Sequence, residues 1–396
     1  MSVGGDASWV ILPVAQQAGG AWIDTLLHER LATAYARRGF PGPVPALRGR
    51  VEVFRDSDPE TQVNRAFYQR GWTDGLPVVA PTVYRVQEML RSSPLPGTES
   101  IGEMEPMNGV ASVEKLAVNA VMAGCRPEYF PVVLAATRAL LDPAFNLRGV
   151  QTTDENVAPL LIVSGPLAET LDINAGLGVL GPGWQANATI GRALRLIMNN
   201  IGGGWPGVFA LAGVSQPARY TLCLGERSQP PWPSLHVEAG LDETQSAVTL
   251  MRAECAINIT GDLDDITDVM GSAVSAFSLL HGGRVAVLLA PHVAARLAGE
   301  GWSKADVAQY LFDHGRLTPA QWQRLWLRRE IVPSYGVPDW VRRAEAAGSI
   351  PVVEAPEHIV VFVAGGDAPI PQHAYFPTWG FPDCRVTVPI VAPPSR

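Results

Sequence analysis

Apolar positions along the chain recur with two spacings, which predict alternating strands and helices. Short continuous apolar runs, PLLIVSGP at 159–166, RVAVLLAP at 284–291 and HIVVFVAGG at 358–366, are typical of strands buried on both faces. Apolar residues spaced by three and four positions predict helices, including one capped by Ser112 and one over about 188–201. This alternation predicts an α/β fold, with mixed or mainly parallel sheets and helices on both faces.

The same pattern divides the chain into an N-terminal arm and two similar-looking α/β lobes. In the arm, at 1–57, WVILPV predicts a short strand and IDTLLHERLATAYARRG a helix. The proline-rich segment GERSQPPWPS at 225–234 is typical of a linker. We therefore expect a central lobe at 58–230, which carries the main polar site, and a C-terminal lobe at 231–396.

Composition restricts the class of protein. Of the 396 residues, 47% are apolar and 17% are charged, which excludes disorder as the main state. The net charge of -8 argues against nucleic-acid binding, no apolar run reaches the length of a membrane helix, and the N-terminus lacks the basic start of a signal peptide. We expect a cytoplasmic globular protein with a small-molecule substrate and no nucleic-acid or membrane partner, and leave a homo-oligomer open.

Neither a cofactor nor a metal is predicted. GLGVLG at 176–181 formally matches GxGxxG, but Pro182 and Gly183 separate it from the following helix, which argues against NAD or FAD. The four cysteines form no CxxC pair, and the histidines show no spacing typical of metal ligands.

Lysine is rare in this chain, which draws attention to the two positions that keep it. Among the 30 basic residues only Lys115 and Lys304 are lysine, and a buried lysine can lose its proton whereas arginine effectively cannot. Lys115 follows Glu114 at a helix start, and Asn119 lies one turn further along. We predict Lys115 and Glu114 as catalytic residues and Asn119 as a substrate ligand; exposed helix positions are the alternative.

A second group of polar residues surrounds the glycine-rich loop at 174–183. Asn187 is predicted to cap the following helix, so that its free N–H groups, with Thr189 and Arg192, would hold a carboxylate or phosphate. Asp74, in GWTDGLP, is the last predicted substrate ligand. The alternatives are a solvated helix face with an ordinary cap, and an aspartate that only closes a turn.

Cys125 is the other candidate nucleophile. It follows a helix C-terminus, where the helix dipole disfavours a thiolate, although the adjacent Arg126 partly offsets this. The alternative is a small buried thiol. Ser112 and Lys115 also match the SxxK spacing of penicillin-recognising serine enzymes, but the companion KTG motif is missing.

Longer stretches of the chain carry a family resemblance. They are GWTDGLPVVAPT, VEKLAVNAVMAGCRPEYFPVVLAA, NAGLGVLGPGWQANATIGRALRLIMNNIGG, and GWSKADVAQYLFDH with VFVAGG. These stretches, spread over roughly 68–390, resemble bacterial proteins grouped with the UGSC (seleno)protein family, which is associated with redox chemistry at a Sec/Cys-Gly-Ser-Cys motif. Because this chain lacks that motif, the resemblance implies an enzyme-like protein with a fixed polar site and does not imply the redox function.

We therefore interpret the chain as a cofactor-free enzyme that acts on a small carboxylate- or amide-bearing substrate by lyase or hydrolase chemistry. The first alternative is a thiol-dependent oxidoreductase, or the partner subunit of one, that uses Cys125. The second alternative is a non-catalytic protein that binds a small molecule.

The sequence-based hypothesis makes a prediction at Lys115. Lys115→Arg keeps the charge and removes the amine that can lose a proton, so the variant is expected to fold normally and to lose on the order of 10²-fold or more in turnover. Steady-state kinetics measure this. Turnover within a few-fold of wild type would remove Lys115 from the mechanism.

Overall fold

The computed structural model describes residues 8–11, 52–55, 57–272, 276–378 and 383–391. The helix predicted within the N-terminal arm lies outside these residues. The first half of the described chain contains the elements β1 Ser8–Ile11, β2 Glu52–Arg55, α1 Pro59–Gln69, α2 Val83–Arg91, β3 Ser100–Met104, β4 Gly109–Ser112, α3 Val113–Ala123, α4 Phe130–Leu141, α5 Leu147–Thr152, β5 Ala158–Ser164, α6 Pro166–Thr170, α7 Gln185–Asn200 and β6 Cys223–Gly225.

The second half continues the alternation. It contains α8 Leu235–Glu238, β7 Ala247–Ala253, β8 Ile257–Thr260, α9 Leu263–Met270, α10 Ala276–His281, β9 Val285–Leu289, α11 Pro291–Gly299, α12 Lys304–His314, β10 Arg316–Leu317, α13 Pro319–Arg324, α14 Val332–Tyr335, α15 Asp339–Ala346, β11 Ile350–Pro351, β12 Ile359–Val363, β13 Gln372–Phe376 and β14 Val386–Pro389. A π-helical turn at Leu327–Ile331 precedes α14.

Two four-stranded sheets form the centre of the molecule. Their strand orders are β14-β7-β5-β6 and β12-β9-β13-β8. In each sheet one pair of strands is parallel, β5 with β6 and β9 with β12, and the other pairs are antiparallel. The predicted α/β fold with mixed sheets is therefore confirmed.

The two sheets pack face to face. Along β5, Leu160 and Ile162 join an apolar cluster with Leu288 and Phe362 of the second sheet, whereas the alternate residue Leu161 joins the helical cluster. Because side chains alternate between the faces of a strand, each sheet presents one face to its neighbour and the other to helices. Helices thus lie on both outer faces of the stack.

The helical layers differ in how closely they approach the sheets. Beside the first sheet, α4 packs on β7 and β14, and α7 packs on β6. A Cβ atom on Gly191 of α7 would lie 2.2 Å from Oγ1 of Thr221, just before β6. Glycine at this position therefore sets the close distance between helix and strand. Beside the second sheet, α12 packs on β12, and α9 packs on β8 and β13.

The predicted boundary at residue 230 does not separate the two sheets. Strands β7 and β14 lie beyond that residue, yet they pair with β5 and with each other in the first sheet. The segment predicted as a linker is packed: Trp232 is buried, and its indole N–H donates to the carbonyl of Trp302 at 2.6 Å. Proline content made the segment resemble a flexible connection, whereas its tryptophan anchors it in the second core.

The close contact at Gly191 yields a stability prediction. Gly191→Ala is expected to destabilise the fold by about 1–3 kcal/mol, because the overpacking at Thr221 exceeds the helix-propensity gain of about 1 kcal/mol. Gly299→Ala is the matched control, since no atom lies within 4 Å of the added methyl group. The control is expected to leave the free energy of unfolding unchanged or to raise it. Urea unfolding measures both, and an equally stable Gly191→Ala variant would contradict the contact.

Candidate functional site

A cavity of about 800 Å³ opens beyond the carboxyl ends of the parallel strands β5 and β6. Gly165 and Pro166, directly after β5, and Glu226 and Arg227, directly after β6, belong to its wall. The volume lies within the range of pockets that hold small molecules, and α/β sheets commonly bind ligands beyond the carboxyl ends of their strands.

Both sheets contribute to the position of this cavity. The backbone N–H of Arg227 donates to Val363, the last residue of β12, at 2.8 Å. The N–H of Gly365 donates to the carbonyl of Ala175 at 2.8 Å. These bonds hold the carboxyl end of β12, in the second sheet, against the cavity wall at Ala175 and Arg227. The cavity is therefore located where the ends of the two sheets meet.

Glu226 is the buried carboxyl of the wall. Its Oε2 accepts the N–H of Leu235 at 2.7 Å, and its Oε1 lies 3.4 Å from Nζ of Lys304. Burial raises the pKa of Glu226, whereas Lys304 and the hydrogen bond from Leu235 oppose the shift. Lys304 also pairs with Glu238 at 2.8 Å, and Glu238 pairs with Arg385 at 2.6 Å. The chain of ion pairs from Glu226 through Lys304 and Glu238 to Arg385 thus fixes the Glu226 carboxyl.

His236 follows Leu235 on α8 and lines the same cavity. Only 3% of the residue is exposed, and neither ring nitrogen completes a hydrogen bond of normal geometry with the described residues. Burial lowers the pKa of the imidazole below its ordinary value. A polar contact with the backbone of Glu243 and the negative charge of its carboxylate oppose that shift. At neutral pH the ring is therefore uncharged, and one of its nitrogens is a proton acceptor.

Lys115 lies apart from the cavity. Its Nζ donates to the carbonyl of Val110 at 2.9 Å. Burial lowers the pKa of Lys115 and Glu114 opposes the shift, in the directions that the sequence predicts. Asn119 is fully buried; it donates to the carbonyl of Lys115 and accepts from Asn200 at 2.8 Å. Asn119 does not lie on the exposed polar helix face that its spacing from Lys115 predicts, because its amide ties two helices together. Its role as a substrate ligand stays a prediction.

Asn187 does not cap a helix. The helix α7 begins at Gln185 with Trp184 as its N-cap, so Asn187 lies within its first turn. Its buried amide accepts from the N–H of Asn174 at 2.7 Å and donates to the carbonyl of the same residue at 3.0 Å. Asn174, Ala175 and Trp184 line the cavity. Asn187 thus supports the cavity wall, and it does not offer the free helix end that was expected to bind an anion.

Arg192 and Asp74 neutralise each other. Nε and Nη2 of Arg192 donate to the two carboxylate oxygens of Asp74 at 2.7 and 2.9 Å, and Nη2 also donates to the carbonyl of Pro77 at 2.8 Å. The Asp74 side chain is only 3% exposed. This bidentate pair joins a loop to α7, so the charge that the predicted anion clamp would use is already matched by Asp74. The Thr189 hydroxyl donates to the carbonyl of Gln185 at 2.7 Å, within the same helix.

Cys125 carries a thiol that the structure keeps protonated. Burial raises its pKa to about 12, although the Thr189 side chain and the charge of Arg192 oppose the shift. The Sγ donates to the Thr189 carbonyl at 3.3 Å. Because the thiolate is the reactive form, this environment argues against thiol-dependent chemistry at Cys125.

Three residues of the cavity region were missed as functional candidates, namely Glu226, His236 and Lys304. Two of the three carried a signal in the sequence. Glu226 follows directly after the end of an apolar strand, and Lys304 is the other lysine that the chain keeps. The proline-rich composition of 225–234 concealed the first signal, because it favoured the interpretation as a linker.

Comparisons with known proteins add no family assignment. No family model matches the chain, and no curated protein matches it. Within the described ranges, no three His, Cys, Asp or Glu side chains are grouped so that they could hold a metal ion. Across those same ranges, every helix is too short or too polar to cross a bilayer. The resemblance to UGSC-grouped proteins stays a prediction.

The environment of Cys125 predicts slow alkylation. Treatment of the native protein with iodoacetamide at pH 8 is expected to modify Cys125 at least ~100-fold more slowly than in the urea-unfolded chain, since a pKa of about 12 leaves very little thiolate. Peptide mapping by mass spectrometry follows each cysteine, with the half-buried Cys255 as the internal reference. Fast modification of native Cys125 would restore the thiol hypothesis.

Proposed function

We propose that the chain is an enzyme that performs acid–base chemistry on a small polar organic molecule bound in the cavity. The observation that carries the proposal is His236, a buried imidazole without a good hydrogen-bond partner on the wall of a substrate-sized cavity. An unpaired polar group in the interior costs free energy, so its retention favours a functional role. We assign the reaction to lyase or hydrolase chemistry, in which a side-chain base and its conjugate acid move the protons that accompany cleavage of a bond in the substrate.

In this proposal His236 is the general base. Its neutral ring removes a proton from the substrate or from water, and the imidazolium returns that proton to the leaving group or the product. A lowered pKa keeps the ring in the accepting form at neutral pH. Glu226 lies beside the same helical turn, since the residue before His236 donates to it. Its carboxyl binds a donor group of the substrate and orients it toward the imidazole.

Lys304 is a positioning residue in this proposal. Its ammonium lies between Glu226 and Glu238 and its side chain is only 11% exposed, so it holds the Glu226 carboxyl in one orientation. Arginine would place a larger planar group in that space, which gives a physical reason for lysine here. The carboxylate-bearing substrate expected from the sequence depended on Arg192, whose charge is already matched by Asp74. An amide-bearing substrate remains compatible with the cavity.

The proposal predicts loss of turnover in Glu226→Gln and in His236→Gln. Each is expected to slow the consumption of substrate by about 10²-fold or more, because His236→Gln removes the acid–base group and Glu226→Gln misplaces the substrate relative to it. The assay incubates the protein with a mixture of small polar metabolites and follows their depletion by mass spectrometry. Wild-type turnover is expected to fall on the acid side with a midpoint below ~6.5, because burial lowers the pKa of His236.

Matched controls exclude a general effect of the substitutions. Glu254→Gln changes another partly buried carboxyl, at the opposite end of the first sheet, and His314→Gln changes an exposed histidine. Both are expected to keep wild-type turnover. Lys115→Arg, for which the sequence alone predicts a large loss, is here expected to stay within a few-fold, because Lys115 bonds to Val110 and does not line the cavity. Unchanged turnover in the Glu226 and His236 variants would refute the proposal. Depletion of no metabolite by the wild type would favour the non-catalytic binding protein.

A further inference from the structure

The charges on the wall of the cavity are unbalanced. Four carboxylates belong to it, those of Glu169, Asp172, Glu226 and Glu243, against one guanidinium, that of Arg227. Glu226 is matched by Lys304, and Arg227 is matched by Asp367 at 2.9 Å. Glu169, Asp172 and Glu243 have no ion-pair partner among the described residues, and the His236 ring is neutral at neutral pH. The cavity therefore has a negative potential that its own cations do not cancel.

His236 and the carboxylates without an ion-pair partner in the described part of the chain both favour a ligand that carries N–H donor groups, although the carboxylates are exposed and His236 is buried. The three acidic side chains belong to exposed residues at the rim, whereas His236 is buried and retains an acceptor nitrogen. Trp184 and Trp232 also line the cavity. Carboxylates and aromatic rings both attract organic cations, and a carboxylate-bearing ligand would be repelled by the rim.

We propose that the cavity takes a small organic cation, bearing an amine or guanidine group, whose charge is bound among Glu169, Asp172 and Glu243. This inference rests on the proposed function in one respect: the same molecule would present its reacting polar group to Glu226 and His236. Its basis is independent, because the charge balance of the wall holds whether or not the bound molecule reacts.

The test uses pairs of probes that share a skeleton and differ in charge. Tryptamine is compared with indole-3-propionate, and cadaverine with glutarate, by isothermal titration calorimetry of the full chain at low ionic strength. The amine of each pair is expected to bind at least ~10-fold more tightly, as three nearby carboxylates of modest individual effect would produce. Added salt is expected to reduce the difference, because exposed charges are screened.

A variant that lacks the three rim carboxylates, here called the rim variant, tests whether they cause the preference for the amine. The triple substitution Glu169→Gln, Asp172→Asn and Glu243→Gln is expected to remove most of the preference for the amine. Asparagine is suitable at position 172, because the backbone there has φ of 54°, a conformation that asparagine tolerates. The control carries Glu60→Gln, Glu128→Gln and Asp268→Asn, which change the net charge equally at exposed residues that do not line the cavity, and it is expected to keep the preference.

The outcomes separate this inference from the proposed function. Equal binding of amine and acid, binding of neither amine, or a preference that survives in the rim variant would overturn the cation site. If one of these occurred while Glu226→Gln still abolished turnover, the enzyme proposal would stand and only the ligand class would be wrong. If the rim-dependent preference appeared without any turnover, the cation site would stand and the enzyme proposal would fail.

Discussion

The packing of one four-stranded sheet against the other is the contact on which the cavity depends. Leu160 and Ile162 of the first sheet share a core with Leu288 and Phe362 of the second, and this core includes residues from three strands of each sheet. Because the sheets cannot slide, the ends of β5, β6 and β12 meet at one edge. The backbone bond from Arg227 to Val363 closes that edge, and the cavity is the space that remains beyond it.

Electrostatics then give this space its chemical character. A carboxyl group as buried as Glu226 would be costly in isolation, and Lys304 and the N–H of Leu235 compensate for it. His236 receives no comparable compensation and stays neutral instead. One wall therefore holds a fixed carboxyl beside an uncharged base. That combination can bind a donor group and accept a proton, whereas a wall of exposed charges would mainly bind water.

Several polar residues with strong sequence signals serve packing in the folded protein. Asn187 replaces missing backbone partners for Asn174, and the Arg192–Asp74 pair fastens a loop to α7. These residues stand within or next to apolar helical patterns, where an amide or charge is equally suited to bind a ligand or to satisfy another buried polar group. The distinction lies in what occupies the neighbouring space, which spacing along one helix does not reveal.

The sequence by itself determined the elements and the fold class. Apolar runs marked β5, β9 and β12, and the cap at Ser112 marked a helix start, because these signals depend on residues a few positions apart. Only the tertiary structure decided which strands share a sheet, that the sheets stack, and that Glu226 approaches Lys304 across 78 positions of chain. Residues that pair over such distances along the chain cannot be recognised as partners from the sequence around either of them. For that reason the helices could be predicted, whereas the cavity and its charges could not.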